Sequence, residues 1–442
     1  MSRISKSLFG LLTALLVMTI AGLPNSYSER VLNDEEDFGK YIFMTKNYGN
    51  WSTAAFPPKY VLIALQIASS DTFTGDPMVL HFRQVLAAKG ITFEPYFTNF
   101  GFIRNPDNDE PFGLPIGIGE SIVDRSLDLT CAACHSGLLP NGEYKLGMPN
   151  TKLNLGAFFL ALDEVLGLGF TSQQRAVLAT WGPGRVDDLT GKNDEGRNIP
   201  SDIPAHWGDL AQWDLFEYGG ETRNLLERNN LVYFLVGVDK DEYGILPPVE
   251  EVEALTKFVK SIEPPINPDT DVEAAKRGEK VFNNSGCIKC HNGPDYMNNN
   301  FIVPLSDKDR IPGEDSQFRN GSIATDQLRN CFGRDKCGGE ALPKLLASGV
   351  ELVATDGYKV APLSGIWATA PYLHNGSVPT LRDLLEPAEE RPKVFSIDGS
   401  IFDTTFEISF TGLGGNGNQG HEFGIDLSDG EKDDLVEFLK SL

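Results

Sequence analysis

Apolar residues recur at helical spacing in two segments, one near the middle of the chain and one at its end. The apolar positions are Val252, Leu255, Phe258, Val259 and Ile262 in the first segment, and Leu435, Phe438, Leu439 and Leu442 in the second. Both patterns predict an amphipathic helix that buries one face. Ser428 and Glu431 form an S-x-x-E capping box, which predicts where the second helix begins.

A proline-rich stretch separates these two segments. Residues 263–270 read EPPINPDT, and neither a helix nor a central strand accommodates proline in its interior. We therefore predict a boundary between an N-terminal domain, residues 29–265, and a C-terminal domain, residues 266–442. After the boundary, DVEAAKRGEKVF at 271–282 predicts another amphipathic helix, in which Gly278 permits close approach of a second helix.

The remaining pattern favours a mainly α protein with long loops and little β structure. In the N-terminal domain, DPMVLHFRQVLAAKG at 76–90 predicts a helix with Asp76 as its N-cap and Pro77 at its first position. Strand patterns are few, and FEISF at 406–410 is the clearest. Glycine and proline supply turns through much of the rest.

Two short cysteine motifs are the clearest candidates for functional sites. LTCAACHSG at 129–137 and NSGCIKCHNG at 284–293 each hold a C-x-x-C-H run. A redox dithiol would use only the two cysteines, and half of a zinc site would use only some of the three residues. Covalent haem attachment uses all three. The residues of the two runs are Cys131, Cys134 and His135 in the first, and Cys287, Cys290 and His291 in the second. We expect two covalently bound haem c groups, one per domain, with His135 and His291 as proximal iron ligands. A structural Ca²⁺ is a further candidate cofactor.

The N-terminus and the net charge indicate an exported protein. Arg3 and Lys6 precede an apolar run from Leu8 to Leu23, so residues 1–28 are predicted to be a signal peptide cut before Glu29, with an uncleaved anchor as the alternative. No later stretch is apolar enough to span a bilayer, so we expect a periplasmic or secreted protein without membrane contact after cleavage. A formal charge of −24 argues against nucleic acid and suits docking of a basic redox protein, or serves solubility alone.

A haem iron takes a second axial ligand, and histidine and methionine are the usual choices. For the second haem, Met297 follows His291 too closely to reach the opposite face, which leaves His374 in APYLHNGSVPTLRDLL and His421 in GNGNQGHEFG. We predict His374, because its loop is bounded by turn and helix-capping residues. Candidates for the distal side of the first haem are Met148, His81 and His206.

The segment from Gly357 to Leu385, GYKVAPLSGIWATAPYLHNGSVPTLRDLL, together with the two C-x-x-C-H runs, resembles the bacterial di-haem cytochrome c peroxidase superfamily. The runs TCAACHSG, WGPGRVDDL, PYLHNGSVPTL and NQGHEFGIDLS are most similar to the branch that contains the di-haem rubber oxygenases. This resemblance implies two cytochrome c-like haem domains. It also implies that H₂O₂ or O₂ binds at the haem on His135, while the C-terminal haem supplies electrons from a small redox protein or cytochrome.

The resemblance also draws attention to PAHWGDLAQWDLFEYGG at 204–220. Trp207, by its rough position in the family, is the first choice for a distal-pocket or electron-relay residue, and an ordinary hydrophobic wall is the alternative. Glu217 or Glu221 could move a proton during O–O cleavage. In WGPGR, Arg185 is either a haem-propionate partner or part of a structural turn.

Three functions follow from these features. A peroxidase-like oxidoreductase is favoured, an oxygenase acting on an apolar substrate is the first alternative, and a pure periplasmic electron carrier is the second. In a pure electron carrier, protein ligands would occupy both axial positions of both irons, whereas either enzyme needs one iron with an open position. The remaining pair, Cys331 and Cys337, is predicted to form a disulfide in an oxidising compartment.

Overall fold

The computed structural model describes residues 35–47, 59–69, 77–106, 113–121, 127–186, 201–207, 248–293, 296, 302–304, 357–397, 400–403 and 417–442. Several predicted features lie outside these residues. They are the signal peptide at 1–28, Met297, the strand at 406–410, the pair Cys331 and Cys337, Glu217 and Glu221, the aromatic residues of 208–220, and the side chain of His81.

Helices dominate the described part of the chain. They are α1 (Glu35–Thr45), α2 (Lys59–Ser69), α3 (Pro77–Lys89), α4 (Cys131–Cys134), α5 (Leu155–Leu166), α6 (Ser172–Ala179), α7 (Val249–Ser261), α8 (Val272–Asn284), α9 (Leu381–Leu384) and α10 (Asp429–Lys440). Short 3-10 turns cover Pro95–Phe100, Cys287–Lys289 and Ile366–Ala368. No helix in the described ranges has the length and apolar character needed to cross a membrane.

The described strands are short and form small sheets of two or three strands. They are β1 (Lys46–Asn47), β2 (Ile118–Ser121), β3 (Leu127–Leu129), β4 (Ser136–Leu138), β5 (Tyr144–Leu146), β6 (Arg185–Val186), β7 (Ser201–Asp202), β8 (Ile302–Pro304), β9 (Gly357–Lys359), β10 (Val394–Ile397) and β11 (Ser400–Asp403). β1 pairs with β2 in parallel, and β2–β3, β4–β5, β6–β7, β8–β9 and β10–β11 are antiparallel. The predicted fold class, mainly α with little β, is confirmed.

In the C-terminal half, α8 and α10 cross closely at Gly278. A Cβ atom added there would lie 1.9 Å from Asp434 O and 2.8 Å from Phe438 Cβ, so only glycine permits this contact. One turn further on, the rings of Phe282 and Phe438 lie 5.3 Å apart, and Arg277 binds both carboxylate oxygens of Asp434 at 2.8 and 2.6 Å. The close approach predicted at Gly278 is therefore confirmed.

The N-terminal half repeats this crossing with different helices. α1 packs against α7 at Gly39, where an added Cβ would lie 2.0 Å from Ala254 O and 2.7 Å from Phe258 Cβ. The rings of Phe43 and Phe258 lie 5.4 Å apart. Both crossings share a glycine followed four residues later by phenylalanine, in GKYIF and in GEKVF. Helix α7 thus packs on α1. Helix α3, which the sequence pattern predicted in this half, packs beside α2 and α5 instead.

The first haem motif lies between two apolar cores of the N-terminal half. Ala133 belongs to a core built largely from α2, α5, α6 and the aromatic residues of 93–102. Ala132 belongs to a second core, which α1 and α7 share with Met148 and Trp207. Because adjacent residues of α4 are buried on opposite sides, the helical turn that carries the two cysteines is fixed in position.

The segment between α7 and α8 contains the predicted domain boundary. α7 ends at Ser261, and α8 begins after Asp271, whose carboxylate accepts hydrogen bonds from the backbone N–H groups of Glu273 and Ala274, both at 3.0 Å. Such a cap satisfies donors that the first turn of a helix otherwise leaves unpaired. The proline-rich stretch therefore connects two well-defined helix ends.

Candidate haem sites

The first C-x-x-C-H run forms one helical turn with the histidine at its end. Cys131 and Cys134 are half-buried, and three-residue spacing places them on the same side of α4. His135 N donates to Cys131 O at 2.9 Å and closes the turn. Gly117, with φ of +87°, lies so near this turn that a Cβ would meet Ala133 Cα at 2.1 Å. The geometry fits two thioether bonds to one planar group.

His135 has the hydrogen bond that a proximal iron ligand needs. Its side chain is 8% exposed, and Nδ1 lies 2.9 Å from the carbonyl oxygen of Pro204. A carbonyl can only accept, so Nδ1 carries the proton and Nε2 keeps its lone pair. This arrangement fixes both the tautomer and the ring orientation of a metal-binding imidazole. His135 therefore suits the proximal role that the sequence predicts for it.

His206 packs against His135. The two ring centroids are 3.6 Å apart with an interplanar angle of 27°, and His206 is buried. Imidazoles on opposite faces of one porphyrin are separated by that plane, so stacked rings do not suit proximal and distal ligation of one iron. The geometry thus argues against His206 as the distal ligand of the first haem and makes it a neighbour of the proximal one.

Met148, another distal candidate, lies in the loop that follows β5. This loop is tied to the haem motif, since Gly147 N donates to His135 O at 2.8 Å and Asn150 N donates to Cys134 O at 2.7 Å. A Cβ on Gly137 would lie 2.6 Å from Met148 Cγ, and Met148 is buried in the core with Trp207. Its described contacts are those of a core residue.

The second C-x-x-C-H run opens onto a largely apolar cavity of about 320 Å³. Cys287, Cys290 and His291 lie in its wall, together with the predicted ligand His374 and the alternative His421. The cavity is not confined to the C-terminal half, because His206 and Trp207 also line it. A mostly apolar cavity with a few ligating side chains is what a haem-binding site requires.

The burial of these residues sets their protonation. Burial lowers the pKa of His291 to about 4, although backbone groups of Tyr296 and Ala361 oppose the shift. Burial also raises the pKa of the Cys287 thiol to about 11. Desolvation disfavours the charged form in both cases. His291 is consequently neutral near pH 7, the form in which imidazole binds a metal.

His374 lies on a tightly bonded loop. Tyr372 and Val378 exchange backbone hydrogen bonds of 2.7 and 3.2 Å across it, and Asp202 N donates to His374 O at 2.9 Å. The His374 ring is buried and stacks on Tyr358 with centroids 4.8 Å apart and an interplanar angle of 22°. The loop thus connects the C-terminal cavity to β7 of the N-terminal half.

His421 faces the same cavity and interacts with His291. Burial is the main reason that the pKa of His421 falls to about 3, and the charges of His291 and Arg391 lower it further. Its backbone has φ of +52°, a left-handed conformation that is uncommon outside glycine. Within the described structure its Nδ1 has no hydrogen-bond partner. The lowered pKa keeps His421 neutral near pH 7, the form in which imidazole binds a metal.

Trp207 spans the space between the two motifs. It is 1% exposed, and its indole N–H donates to the carbonyl oxygen of Ser364 at 3.1 Å. A Cβ on Gly365 would lie 2.9 Å from the indole ring, so glycine lets the C-terminal segment reach it. His206, which stacks on His135, and Trp207, the next residue in the chain, both line the cavity of the second motif.

Arg185 and Asp202 are buried on the paired strands β6 and β7. Arg185 donates to Thr180 O at 3.0 Å and to Asn375 O at 3.5 Å. Burial lowers the pKa of Arg185 to about 9 and raises that of Asp202 well above its usual value, while each charge opposes the shift of the other. The described contacts of Arg185 are structural, and its haem-propionate role stays a prediction.

Sequence reasoning did not identify Arg391, which binds the loop that carries His421. No motif surrounds it, and its role depends on the folded path of two separate segments. In the part of the chain that the structure describes, no group of three or more His, Cys, Asp or Glu side chains is placed to hold a metal ion. The structural Ca²⁺ therefore stays a prediction.

Comparison with known proteins supports the family resemblance. Residues 357–396 match the family described as RoxA-like, cytochrome c-like, which confirms the resemblance to the di-haem cytochrome c peroxidase superfamily and its RoxA-like branch. Two uncharacterized proteins of Sinorhizobium fredii (strain NBRC 101917 / NGR234) are similar. y4iM is 31% identical over 249 residues, which are 51% of this chain and 54% of y4iM. y4iJ is 44% identical over 105 residues, 19% of this chain and 18% of y4iJ. The chain thus matches about half the length of y4iM and less than a fifth of y4iJ.

Two solved structures are also similar at low levels. A MauG-like protein associated with microbial copper homeostasis is 19% identical, with a TM-score of 0.32, over 55% of this chain and 73% of that protein. The hydrazine synthase of Kuenenia stuttgartiensis is 17% identical, with a TM-score of 0.31, over 62% of this chain and 88% of the matched chain. These similarities carry no argument about function.

Proposed function

We propose that the protein is an exported di-haem c-type cytochrome oxidoreductase of the peroxidase-like class. H₂O₂ or O₂ binds at the haem on His135, and electrons reach it from the haem on His291. The observation that carries this proposal is the cavity of the second motif, which extends to His206 and Trp207, while His206 stacks on His135. Buried aromatic side chains beside the first motif thus also line the cavity of the second, which supports electron transfer between the two haems.

The residues present fit the cofactor at both motifs. Each motif offers two thiols, and burial keeps His291 and His421 neutral near pH 7, the form in which imidazole binds a metal. A bound haem supplies an iron that changes oxidation state by one electron and can take a small axial ligand. The chain's own part is to hold that iron through His135 or His291, to orient the imidazole, and to exclude water from the cavity.

The second iron has two histidines available opposite His291. His374 is the ligand that the sequence predicts, and its loop is rigidly held. The structure adds a reason to favour His421, because a charge on His291 would lower the pKa of His421, as expected for neighbouring imidazoles, whereas the His374 ring is stacked on Tyr358. Either choice gives two imidazole ligands and leaves no position for an exogenous molecule, which suits an electron-transfer site.

Paired substitutions separate the two ligands. His421→Ala should remove the low-spin EPR signal of the second haem, and His374→Ala should leave that signal in place with a small shift. The first haem serves as an internal control in both proteins. Loss of the signal only in His374→Ala would return the assignment to His374.

Trp207 provides the proposed electron path. Trp207→Phe keeps a buried aromatic ring but loses the indole N–H that binds Ser364 O. Trp181→Phe is the matched control, because Trp181 is equally buried but belongs to the first core and does not line the cavity. In stopped-flow mixing of the reduced protein with H₂O₂, we expect Trp207→Phe to slow oxidation of the second haem at least several-fold, and Trp181→Phe to leave it unchanged. Equal rates in all three proteins would rule out this path.

An oxygenase acting on an apolar substrate is the second candidate, and the RoxA-like match is the observation that favours it. CO, cyanide, H₂O₂ and O₂ should each perturb one haem and not the other. Turnover with H₂O₂ and a reduced small cytochrome supports the peroxidase, whereas O₂ uptake that requires an apolar polyene supports the oxygenase. A protein in which neither haem responds would be an electron carrier.

The net charge of −24 favours a basic redox protein as the electron donor, because association between opposite charges is faster. The reduction rate by a basic cytochrome should therefore fall steeply as ionic strength rises. A rate that is independent of salt would exclude this docking mode.

A further inference from the structure

We propose that Arg391 is a positioning residue that holds the His421 loop against the second haem. This inference rests on the proposed di-haem function and on His421 as the ligand opposite His291. Arg391 does not line the cavity, so it acts through the backbone that it binds.

Arg391 joins two segments of chain through main-chain oxygens. Its Nη1 donates to Asn418 O at 2.6 Å and to Gly420 O at 2.7 Å, and its Nη2 reaches His421 O at 3.4 Å. On the other side, Nε donates to Glu386 O at 2.9 Å and Nη2 to Leu384 O at 3.2 Å. Five hydrogen bonds from one planar fork thus connect the end of α9 to the residues around His421.

Burial of the Arg391 guanidinium is energetically unfavourable, so its hydrogen bonds matter for the structure. The side chain of Arg391 is 2% exposed, and the hydrogen bonds described for it all go to carbonyl oxygens. Carboxylates act on it only from a distance: Glu422, Asp383 and Glu389 favour its charged form, while burial lowers its pKa. Burying a guanidinium without a directly bound anion is strongly unfavourable, so the fork has to satisfy all of its donors.

The loop needs such support because its backbone is unusual. His421 has φ of +52° and Gly420 has φ of +109°, and a non-glycine residue in this region persists only where neighbours fix it. Further hydrogen bonds hold the same loop: Asn375 Nδ2 donates to Gly417 O at 3.0 Å and Ala388 N to Glu422 Oε1 at 3.0 Å. Arg391 contacts the carbonyls at and before His421, so its removal affects the direction of the imidazole most.

The buried cation also acts on the iron site through space. The guanidinium of Arg391 lies 3.4 Å from the carbonyl oxygen of His421, so its charge lies close to the proposed ligand. A nearby positive charge favours the reduced haem, whose iron has one positive charge fewer. Loss of the charge should therefore lower the reduction potential of the second haem as well as loosening its ligand.

Two variants of Arg391 separate geometry from charge. Arg391→Lys keeps the cation but loses the planar fork that spans both segments, and Arg391→Met removes both. Arg382→Met is the control, because Arg382 lies on α9, whose end Arg391 contacts, but binds the carboxylates of Glu386, Asp429 and Asp433 rather than the His421 loop. All proteins are measured as holoprotein containing both haems.

We expect the low-spin EPR signal of the second haem to weaken in both Arg391 variants and CO to bind there at least ten-fold more tightly, with the first haem unchanged. The reduction potential of the second haem should fall further in Arg391→Met than in Arg391→Lys. Arg382→Met should lower the melting temperature without altering either haem.

The outcomes are distinguishable. If His421→Ala leaves the second haem intact, the ligand assignment fails, whatever Arg391 does. If His421→Ala removes the signal while Arg391→Lys retains a wild-type spectrum, CO affinity and potential, the positioning role is wrong. Should Arg391→Met not be recovered with both haems, the lysine variant alone decides, since it keeps the buried charge.

Discussion

Substitution of Gly278 by alanine should loosen the crossing of helices α8 and α10 in the C-terminal half. The added Cβ would lie 1.9 Å from Asp434 O, 2.5 Å from Asp434 C and 2.8 Å from Phe438 Cβ. Ordinary contact distances are about 3.5 Å or more, so α8 and α10 must separate by roughly 1.5 Å or distort. The contact atoms are mostly backbone, which cannot rotate away as a side chain can.

The expected magnitude combines two opposing effects. Overpacking costs about 1–3 kcal/mol, and replacing glycine by alanine inside a helix returns about 0.5–1 kcal/mol. The net loss is therefore about 1–2 kcal/mol, which corresponds to a fall of roughly 2–8 °C in melting temperature for a domain of this size. The position of the His291 ring should also change, because this ring lies 6.3 Å from that of Phe282. Phe282 in turn packs on Phe438 in the same crossing.

Gly430→Ala is the matched control for this experiment. Gly430 lies in the first turn of α10, and a Cβ there meets nothing within 4 Å. It should raise stability by up to about 1 kcal/mol. Thermal unfolding is followed at the Soret band of each haem. Gly278→Ala melting at or above the temperature of Gly430→Ala would show that close approach at Gly278 does not stabilise the domain.

Further predictions test other parts of the molecule. The mature chain should carry the mass of two haems, and replacing both Cys131 and Cys134 by alanine should remove one; an unchanged mass would refute attachment at the first motif. Ser428→Ala should cost about 1 kcal/mol by removing the α10 capping box, measured by denaturant unfolding, and an unaltered midpoint would contradict it. His291 and His421 have pKa values lowered to about 4 and about 3, so the stability that these neutral imidazoles contribute is fully present above their ordinary pKa of about 6.5 and is lost as pH falls towards those values. The chain without haem should therefore lose stability as pH falls from about 6.5 to about 4, measured by denaturant unfolding; a stability that does not change over this range would contradict the prediction.

Local sequence signals predicted local structure well. The capping box at Ser428 and Glu431 forms as expected, with Ser428 N donating to Glu431 Oε2 at 3.0 Å and Glu431 N donating to Ser428 Oγ at 3.4 Å. The glycine at 278 meets its partner helix, and both C-x-x-C-H runs form compact turns. Each of these features depends on residues a few positions apart, so the pattern contains the information.

Contacts between distant segments were beyond the sequence pattern. Gly39 meets Ala254, but nothing near Gly39 indicates which helix will cross it. The G-x-x-x-F spacing that Gly39 shares with Gly278 could have indicated a helix crossing at Gly39. It does so only when the two crossings, of α1 with α7 and of α8 with α10, are compared. The stacking of His206 on His135 and the fork of Arg391 depend on backbone paths that hydrophobic periodicity does not encode.

The paired crossings have a consequence for how the protein is made. In each half, the helix that completes the crossing, α7 or α10, follows its cysteine motif by more than a hundred residues. If the chain is exported as proposed, it is translocated from its N-terminus and presents each pair of thiols long before the closing helix exists. Covalent attachment can take place on an open intermediate, and packing at Gly39 or Gly278 then encloses a group that is already bonded. Maturation would proceed in order along the chain, with the first half completed before the second motif has emerged.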